Sequence, residues 1–559
     1  MTMPSQLDSS PVPGAQASAR PSAAQRVYAF DHAHDAPPRT LVALLGGKGA
    51  NLAEMTSVLG INVPPGFTIA LPVCREFRDG GWPDGLDAEI DAHLDRLGTV
   101  MGRRFGDPAD PLLVAVRSGA PVSMPGMLDT VLNLGLNDET VLGLARASGD
   151  ERFAWDSYRR FLTMFATIVM GVPGEELEDH DADEARDAAA MRVRVAALAV
   201  RITELAGRPV PADPRLQLRQ AVEAVFRSWE SERARAYRAH EGIDPDLGTA
   251  VNVQSMVFGN RGDRSGTGVV FTRDPSTGEP VPYGDYLPRA QGEDVVAGTA
   301  HPLPVVSLGD LLPEIWTELR GVLRRLEVHY RDLCDVEFTV EDGRLFLLQT
   351  RVGKRSATAA VRVAVALEDD PDVRLTRAEA VARVPADLRA RAREEHAAAA
   401  QVTGDFDDLV ATGLGASPGR VSGAVVLSSE AACDSEGDVI LVRAETSPAD
   451  IPGMSVSVGV LTTRGGLVSH AAVVARGWGI PAVVGAADLV LDDEGIRCPG
   501  GRRIRAGEVI TIDGVSGTVW AGVPDATTFA EPDGAADAFP ELTKLEWWAA
   551  EVDAAAARG

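Results

Sequence analysis

The chain has 559 residues, 45% hydrophobic and 24% charged, which is too long for one ordinary domain and apolar enough for three or four cored units. Its formal net charge of −27 argues against nucleic acid or an anionic membrane surface as a partner, and any phosphate site must be a local basic pocket. No stretch approaches the roughly 20 apolar residues of a membrane helix.

Residues 1–26, rich in Ser, Pro, Ala and Gln, read as a disordered lead-in without the basic start and apolar core of a secretory signal. Cys74, Cys334, Cys433 and Cys498 are far apart, with neither metal-ligand nor redox spacing, and predict reduced thiols in a cytoplasmic protein. Arginine supplies nearly all the positive charge. Only Lys48, Lys354 and Lys544 remain, and the first two fall in motifs where a compact ammonium has a use.

From 27 to 355, strand-like and helical segments alternate with Gly-rich loops. Within this stretch 139–240 reads as mostly helical, with apolar residues at helical spacing over Arg152–Met170 and Ala185–Leu205. Residues 356–408 read as an Ala/Arg/Glu-rich helical connector. Residues 409–522, with short apolar runs such as Ala424–Leu427 and Val439–Val442, read as a compact α/β unit. Residues 523–559 predict an acidic loop and an Ala-rich helix. No internal repeat is present.

Gly46-Gly47-Lys48-Gly49 runs into a helical pattern over Leu52–Leu59. Glycines let a backbone approach a phosphate, the helix start offers free N–H groups, and Lys48 adds charge; the same residues would also make a simple tight turn. Val114–Val116 predicts a strand that delivers Arg117 at its end, beside the loop Ser123-Met124-Pro125-Gly126-Met127. Arginine there suits bidentate phosphate binding, although an ordinary surface arginine fits equally.

Asp335 to Arg351 predicts a β-hairpin around Glu341-Asp342-Gly343. Alternation puts Asp335, Glu337 and Thr339 on one face and Leu345, Leu347, Gln349 and Arg351 on one face of the return strand. A two-residue turn would send the two sets to opposite faces. A three-residue loop with Gly343 left-handed would set Asp335 opposite Gln349, and this is the expected register. Carboxylates beside arginine suit Mg²⁺-bound phosphates, with Asp335 and Glu337 for the metal and Arg351, joined by Lys354, for the transferred group; a solvated polar face is the alternative.

Gly459–Ser469 leads through Gly465-Gly466 to His470 and then a helical run ended by Gly477-Trp478-Gly479. The spacing places His470 at or just before the first helical position, near N–H donors that can hold a phosphoryl group, and neutral imidazole is a competent nucleophile near pH 7. The other eight histidines read as structural or idle.

Taken together, these segments resemble the pyruvate phosphate dikinase family. The resemblance rests on Gly46–Met55, Val116–Asp138, Arg152–Phe161, Phe258–Glu279, Ala290–Gly298, Asp335–Arg355, Ala416–Gly419 and Arg464–Gly479, in family order. It implies an α/β multidomain chain: an ATP-grasp-type nucleotide-binding domain over 27–355 with the helical insertion, the connector, and a swivelling β/β/α phosphohistidine domain over 409–522. It further implies that ATP and inorganic phosphate give AMP, pyrophosphate and phosphorylated His470. Lys48, Arg117, Gln349 and Arg351 would hold ATP, Asp335 and Glu337 would bind Mg²⁺, and Asp285, Glu293 and Asp294 would lie near the nucleotide. The loop with Ser123, Met124, Gly126 and Met127 resembles the branch that uses phosphate rather than water.

Three departures accompany the resemblance. Asp285 stands where the family often has Glu, and Val468 stands where a Thr precedes the histidine by two places, so control through that threonine is not expected. No stretch resembles the barrel that holds pyruvate, which predicts transfer to pyruvate on a separate barrel-domain protein. The competing readings are a stand-alone kinase for a small molecule such as an antibiotic, and a non-catalytic carrier. The short, charged connector offers little for an acceptor pocket and favours transfer to a separate barrel over the stand-alone kinase. The Gly413–Gly419 junction and the helical connector are the expected hinges, and a homodimer is admitted.

Overall fold

The computed structural model describes residues 25–122, 124, 127–177, 187–296, 302–400, 408–467, 469–523 and 539–556. Most of the predicted lead-in lies outside these residues. Among the described residues no helix is long and apolar enough to cross a membrane.

Two five-stranded antiparallel sheets organise the first 352 residues. One runs Val27–Ala29, Gly66–Ile69, Ala250–Ser255, Val114–Gly119 and Thr130–Leu134; the other runs Leu303–Pro304, Tyr283–Pro288, Gly266–Phe271, Cys334–Glu341 and Arg344–Val352. Helices cover the first sheet. Glu151–Ile168 begins where Asp150 accepts a hydrogen bond from Phe153 N at 2.9 Å, and its Phe153, Phe161, Leu162 and Phe165 fall at helical spacing into the core. In the second sheet Val336, Phe338, Val340, Leu345 and Leu347 pack against Ile315, Leu319, Val322, Leu323 and Leu326 of the helix Pro313–Tyr330. Burying such side chains stabilises by about 1.5–3 kcal/mol each. The opposite face of that sheet is thereby left for polar side chains.

The hairpin reaches this arrangement differently from the expectation. Glu341 pairs with Arg344 across a two-residue turn, with Asp342 and Gly343 both left-handed (φ 49° and 75°). The three-residue loop and the pairing of Asp335 with Gln349 are therefore incorrect. The register slips once between Glu337 and Phe338, with Leu348 as the extra residue, so that Glu337 faces Gln349 and Asp335 faces Arg351. The bulge also separates Leu345 and Leu347, which face the core, from Gln349 and Arg351, which do not.

Residues 409–521 form an eight-stranded sheet whose centre, Arg420–Val426, Val439–Arg443, Gly459–Thr462 and Ala482–Val484, is parallel and whose flanks are antiparallel. The expected hinge at Gly413–Gly419 is instead part of this sheet: Leu414–Ser417 pairs with Ala482–Val484, and a side chain at Gly413 would meet the Val484 carbonyl. Between the units, Ala357–Asp369, Arg377–Arg383 and Ala386–Ala400 form more than a connector. The helix Pro540–Ala556 returns to them, and Phe539, Leu542, Leu545 and Trp548 close a core with Val361, Ala364, Ala380 and Val384. Lys544 donates to Asp369 at 2.8 Å over the Trp548 ring.

Candidate active site

The polar face of the second sheet lines up residues from four strands. Asp285, Val269, Glu337 and Gln349 make one cross-strand row, and Tyr283, Phe271, Asp335 and Arg351 make the next. Arg351 donates from Nε and Nη2 to Asp335 Oδ2, both at 2.7 Å. From the first sheet, Arg117 Nη2 donates to Glu337 Oε2 at 3.2 Å, closing a cleft between the sheets. Arg117 sits inside the strand Val114–Gly119 rather than at its end. Its buried Nε has no hydrogen-bond partner among the described residues, which leaves a donor for an incoming anion.

Gly46 is left-handed (φ 67°, ψ 170°) and breaks the helix Val42–Ala53 just before Lys48. A side chain at Gly46 would run into the Gly119 carbonyl, and Gly47 N donates to Ala120 O at 2.9 Å, so the glycine loop is tied to the end of the Arg117 strand. That close approach requires glycine. Burial pushes the Lys48 ammonium down to about 7, with Arg117 adding to the effect and Glu337 opposing it. Burial also raises Asp335 against the pull of Arg351. For Glu337 burial acts the same way, but Arg117, Lys48 and Arg351 together outweigh it and hold the carboxyl below its ordinary value.

Glu293 and Asp294 lie on the short helix Gly292–Val296. Both accept from Arg160 Nη1, at 2.6 and 2.7 Å, and Arg160 also bonds Asp156. Of the expected phosphate loop, Ser123 and Gly126 lie outside the described residues. Met124 and Met127 are buried, and Arg233 donates to the Met127 carbonyl at 3.2 Å.

His470 is the first residue of the helix His470–Trp478, capped by Ser469, whose side chain accepts from Ala472 N. Its Nδ1 lies 3.0 Å from Thr446 Oγ1. With the proton on Nδ1, donated to that hydroxyl, Nε2 carries the lone pair; this buried nitrogen has no hydrogen-bond partner among the described residues. Burial lowers the imidazole pKa, with Asp450 opposing. Sequence reasoning passed over Thr446 and Asp450, which lie 20 or more residues upstream on a separate loop. It also passed over Arg476, inside a matched segment, whose Nε and Nη2 bond Ala416 O at 3.0 Å and Leu467 O at 2.9 Å and shape the histidine loop from behind.

The histidine unit is seated on the cleft. Arg476 lies 5.5 Å over the Phe271 ring, and a side chain at Gly466 would meet the Asp285 carboxylate. One buried cluster joins Met124, Met127, Trp229 and Tyr237 to Ala471, Ala472, Val474 and Ala475 of the histidine unit.

The Asp335–Glu337 pair fits a divalent cation, since Mg²⁺ is held by one or two carboxylates with substrate phosphates and water. Among the described residues no cluster of three or more His, Cys, Asp or Glu forms an all-protein cage.

Comparison with known proteins identifies the family. Residues 42–99 and 77–308 match the pyruvate phosphate dikinase AMP/ATP-binding domain, and residues 435–517 match the mobile domain of PEP-utilising enzymes. The chain is 46% identical over 510 residues to pyruvate, phosphate dikinase of Rhizobium meliloti, covering 86% of this chain and 56% of that protein. It is 47% identical to the chloroplastic enzyme of Flaveria trinervia (90% and 54%) and 46% identical to pyruvate, phosphate dikinase 2 of Zea mays (89% and 58%). The chain thus spans little more than half the length of these relatives, and over that span it belongs to the pyruvate phosphate dikinase family.

Proposed function

We propose that this chain carries out the nucleotide half-reaction of a dikinase. ATP binds in the cleft between the two antiparallel sheets, an ATP-grasp-type arrangement. His470 Nε2 takes the β-phosphoryl group, AMP leaves, and the γ-phosphate joins inorganic phosphate as pyrophosphate. Lys48, Arg117 and Arg351 neutralise the phosphates, and Gln349, Asp285, Glu293 and Asp294 contact the nucleotide. Asp335 and Glu337 hold Mg²⁺, which supplies charge neutralisation at the phosphates when bound. The loop with Ser123, Met124, Gly126 and Met127 covers the phosphate co-substrate.

The observation that carries this reading is the cleft itself. Arg117 on one sheet and Arg351 on the other close on Glu337 and Asp335, while the histidine loop sits against Asp285 with His470 Nε2 unpaired. A group carried on one histidine must then leave for its acceptor, so the 409–522 unit swivels away from the cleft. The acceptor is pyruvate, held on a barrel outside this chain's sequence, and the reaction is cytoplasmic.

The test uses ATP radiolabelled at the β-phosphate, with Mg²⁺ and with or without inorganic phosphate. Acid-labile label that depends on His470, checked with His470→Ala, together with AMP release and a stable labelled enzyme only when phosphate is present, supports the dikinase half-reaction. Absence of label in the wild type, with nucleotide binding intact, refutes it.

A further inference from the structure

The histidine helix meets the rest of the chain at both ends, and the proposed chemistry uses only the first. At the far end Trp478 donates its indole N–H to Glu241 Oε1 at 2.8 Å. Glu241 ends the helix Glu232–Glu241, whose Tyr237 shares the buried cluster with Ala471 and Val474. Lys354 follows the strand that carries Arg351, and its charge interacts with Glu241. It lies against Gly477: a Cβ there would sit 2.9 Å from Lys354 Nζ and 3.1 Å from its Cδ. A Cβ on Gly479 would run into the Arg391 guanidinium, from the helix Ala386–Ala400.

The physical fit is specific. The last turn of a helix ends in free carbonyls with partial negative charge, and here two cations from outside the unit meet it. Two glycines flanking Trp478 let those cations approach, while the indole reaches past them to the one carboxylate. A nine-residue helix is a rigid rod of about 13 Å, so what fixes Trp478 also fixes the direction of His470.

We propose that Glu241, Lys354 and Trp478 form a latch that seats the last turn of the histidine helix on the nucleotide-binding half and thereby positions His470 Nε2 for phosphorylation. This rests on the reading under Proposed function. None of the three touches a reacting atom; they are positioning residues. A hydrogen bond to a carboxylate biases docking by about tenfold to a hundredfold, enough to favour the seated state while leaving it reversible.

The experiment measures single-turnover labelling of the full chain from ATP radiolabelled at the β-phosphate, with ATP affinity measured separately. Glu241→Ala and Trp478→Phe are expected to slow labelling about tenfold with ATP affinity unchanged. Glu241→Gln recovers part of the rate, because its amide oxygen still accepts the indole N–H. Gly477→Val, which drives a branched side chain into Lys354, gives the same loss by a different route. The emission attributable to Trp478, obtained as wild type minus Trp478→Phe, shifts to the red in Glu241→Ala, a readout independent of turnover. Unchanged labelling and emission overturn the latch and leave the proposed function standing. A parallel loss of ATP affinity and rate in every variant makes these residues merely structural and also overturns it. No label in the wild type overturns the proposed function and the latch together.

Discussion

In the nucleotide cleft two carboxylates are closed on arginines: the buried Asp335 on Arg351 and the half-buried Glu337 on Arg117. In the histidine pocket the partner of His470 is an uncharged hydroxyl, Thr446. The cleft is preorganised by opposite charges that phosphates and a metal ion would exchange for new partners. The pocket instead favours a neutral imidazole, whose Nε2 has no hydrogen-bond partner among the described residues. A carboxylate in place of that hydroxyl would raise the imidazole pKa and favour the protonated ring, which has no lone pair to offer.

The largest effect expected on this comparison is at Arg351. Arg351→Ala leaves Asp335 buried without its guanidinium, which costs about 3–5 kcal/mol of stability in denaturant titration. It also slows labelling of His470 by at least about a hundredfold. Arg351→Lys recovers little, since an ammonium cannot present the same planar fork. A labelling rate near wild type in Arg351→Ala would mean that the charged cleft is architectural rather than catalytic.

Glu337→Gln keeps the shape and removes one carboxylate. The Mg²⁺ concentration for half-maximal labelling rises on the order of tenfold, the size of one charge-assisted contact. On the pocket side, Thr446→Val slows labelling by about threefold to tenfold while ATP affinity stays the same. If Thr446→Val weakened ATP binding as well, the two sites would not be separable in the way the geometry implies.

The pH profile sharpens the contrast further. Burial lowers the His470 pKa, so the neutral nucleophile persists as pH falls, and the acid limb of the labelling rate lies below the ordinary imidazole value of 6.5. Asp450 opposes that shift, so Asp450→Asn moves the limb lower still. Below 6.5 the unfolded chain binds the proton more readily than the folded one, and this residue's contribution to stability is lost as pH drops. An acid limb above 6.5 would point to a charged partner at His470.

The smallest effect is expected at the hairpin turn. Gly343→Ala forces a Cβ onto a left-handed residue and towards the Arg264 guanidinium, which costs about 1 kcal/mol of stability. Labelling is unchanged, because the register at Asp335 and Glu337 is held by the bulge and the neighbouring strand.

Much of this molecule was legible from residue order alone. Gly46-Gly47-Lys48, the hairpin from Asp335 to Arg351 and the Gly-Gly turn before His470 each place their chemistry within a few residues, where local backbone rules decide the outcome. The helices Glu151–Ile168 and Ala188–Ala206 fall where apolar spacing over Arg152–Met170 and Ala185–Leu205 places them. Other features lay beyond local rules. The hairpin turn type was misread, and the shared face of Asp335, Glu337, Gln349 and Arg351 came from a bulge at Leu348 that packing against the 313–330 helix stabilises. Gly413–Gly419 reads as flexible in sequence, yet it becomes a strand because the Ala482–Val484 edge, about 70 residues later, supplies its hydrogen bonds. Thr446 beside His470, Arg160 between Glu293 and Asp294, and Glu241 under Trp478 join residues separated by 24 to 237 positions. Sequence determined which groups were available and where the chain would turn; only the packed structure decided which of them meet, because long-range partners are selected by the burial of surfaces that no local pattern encodes.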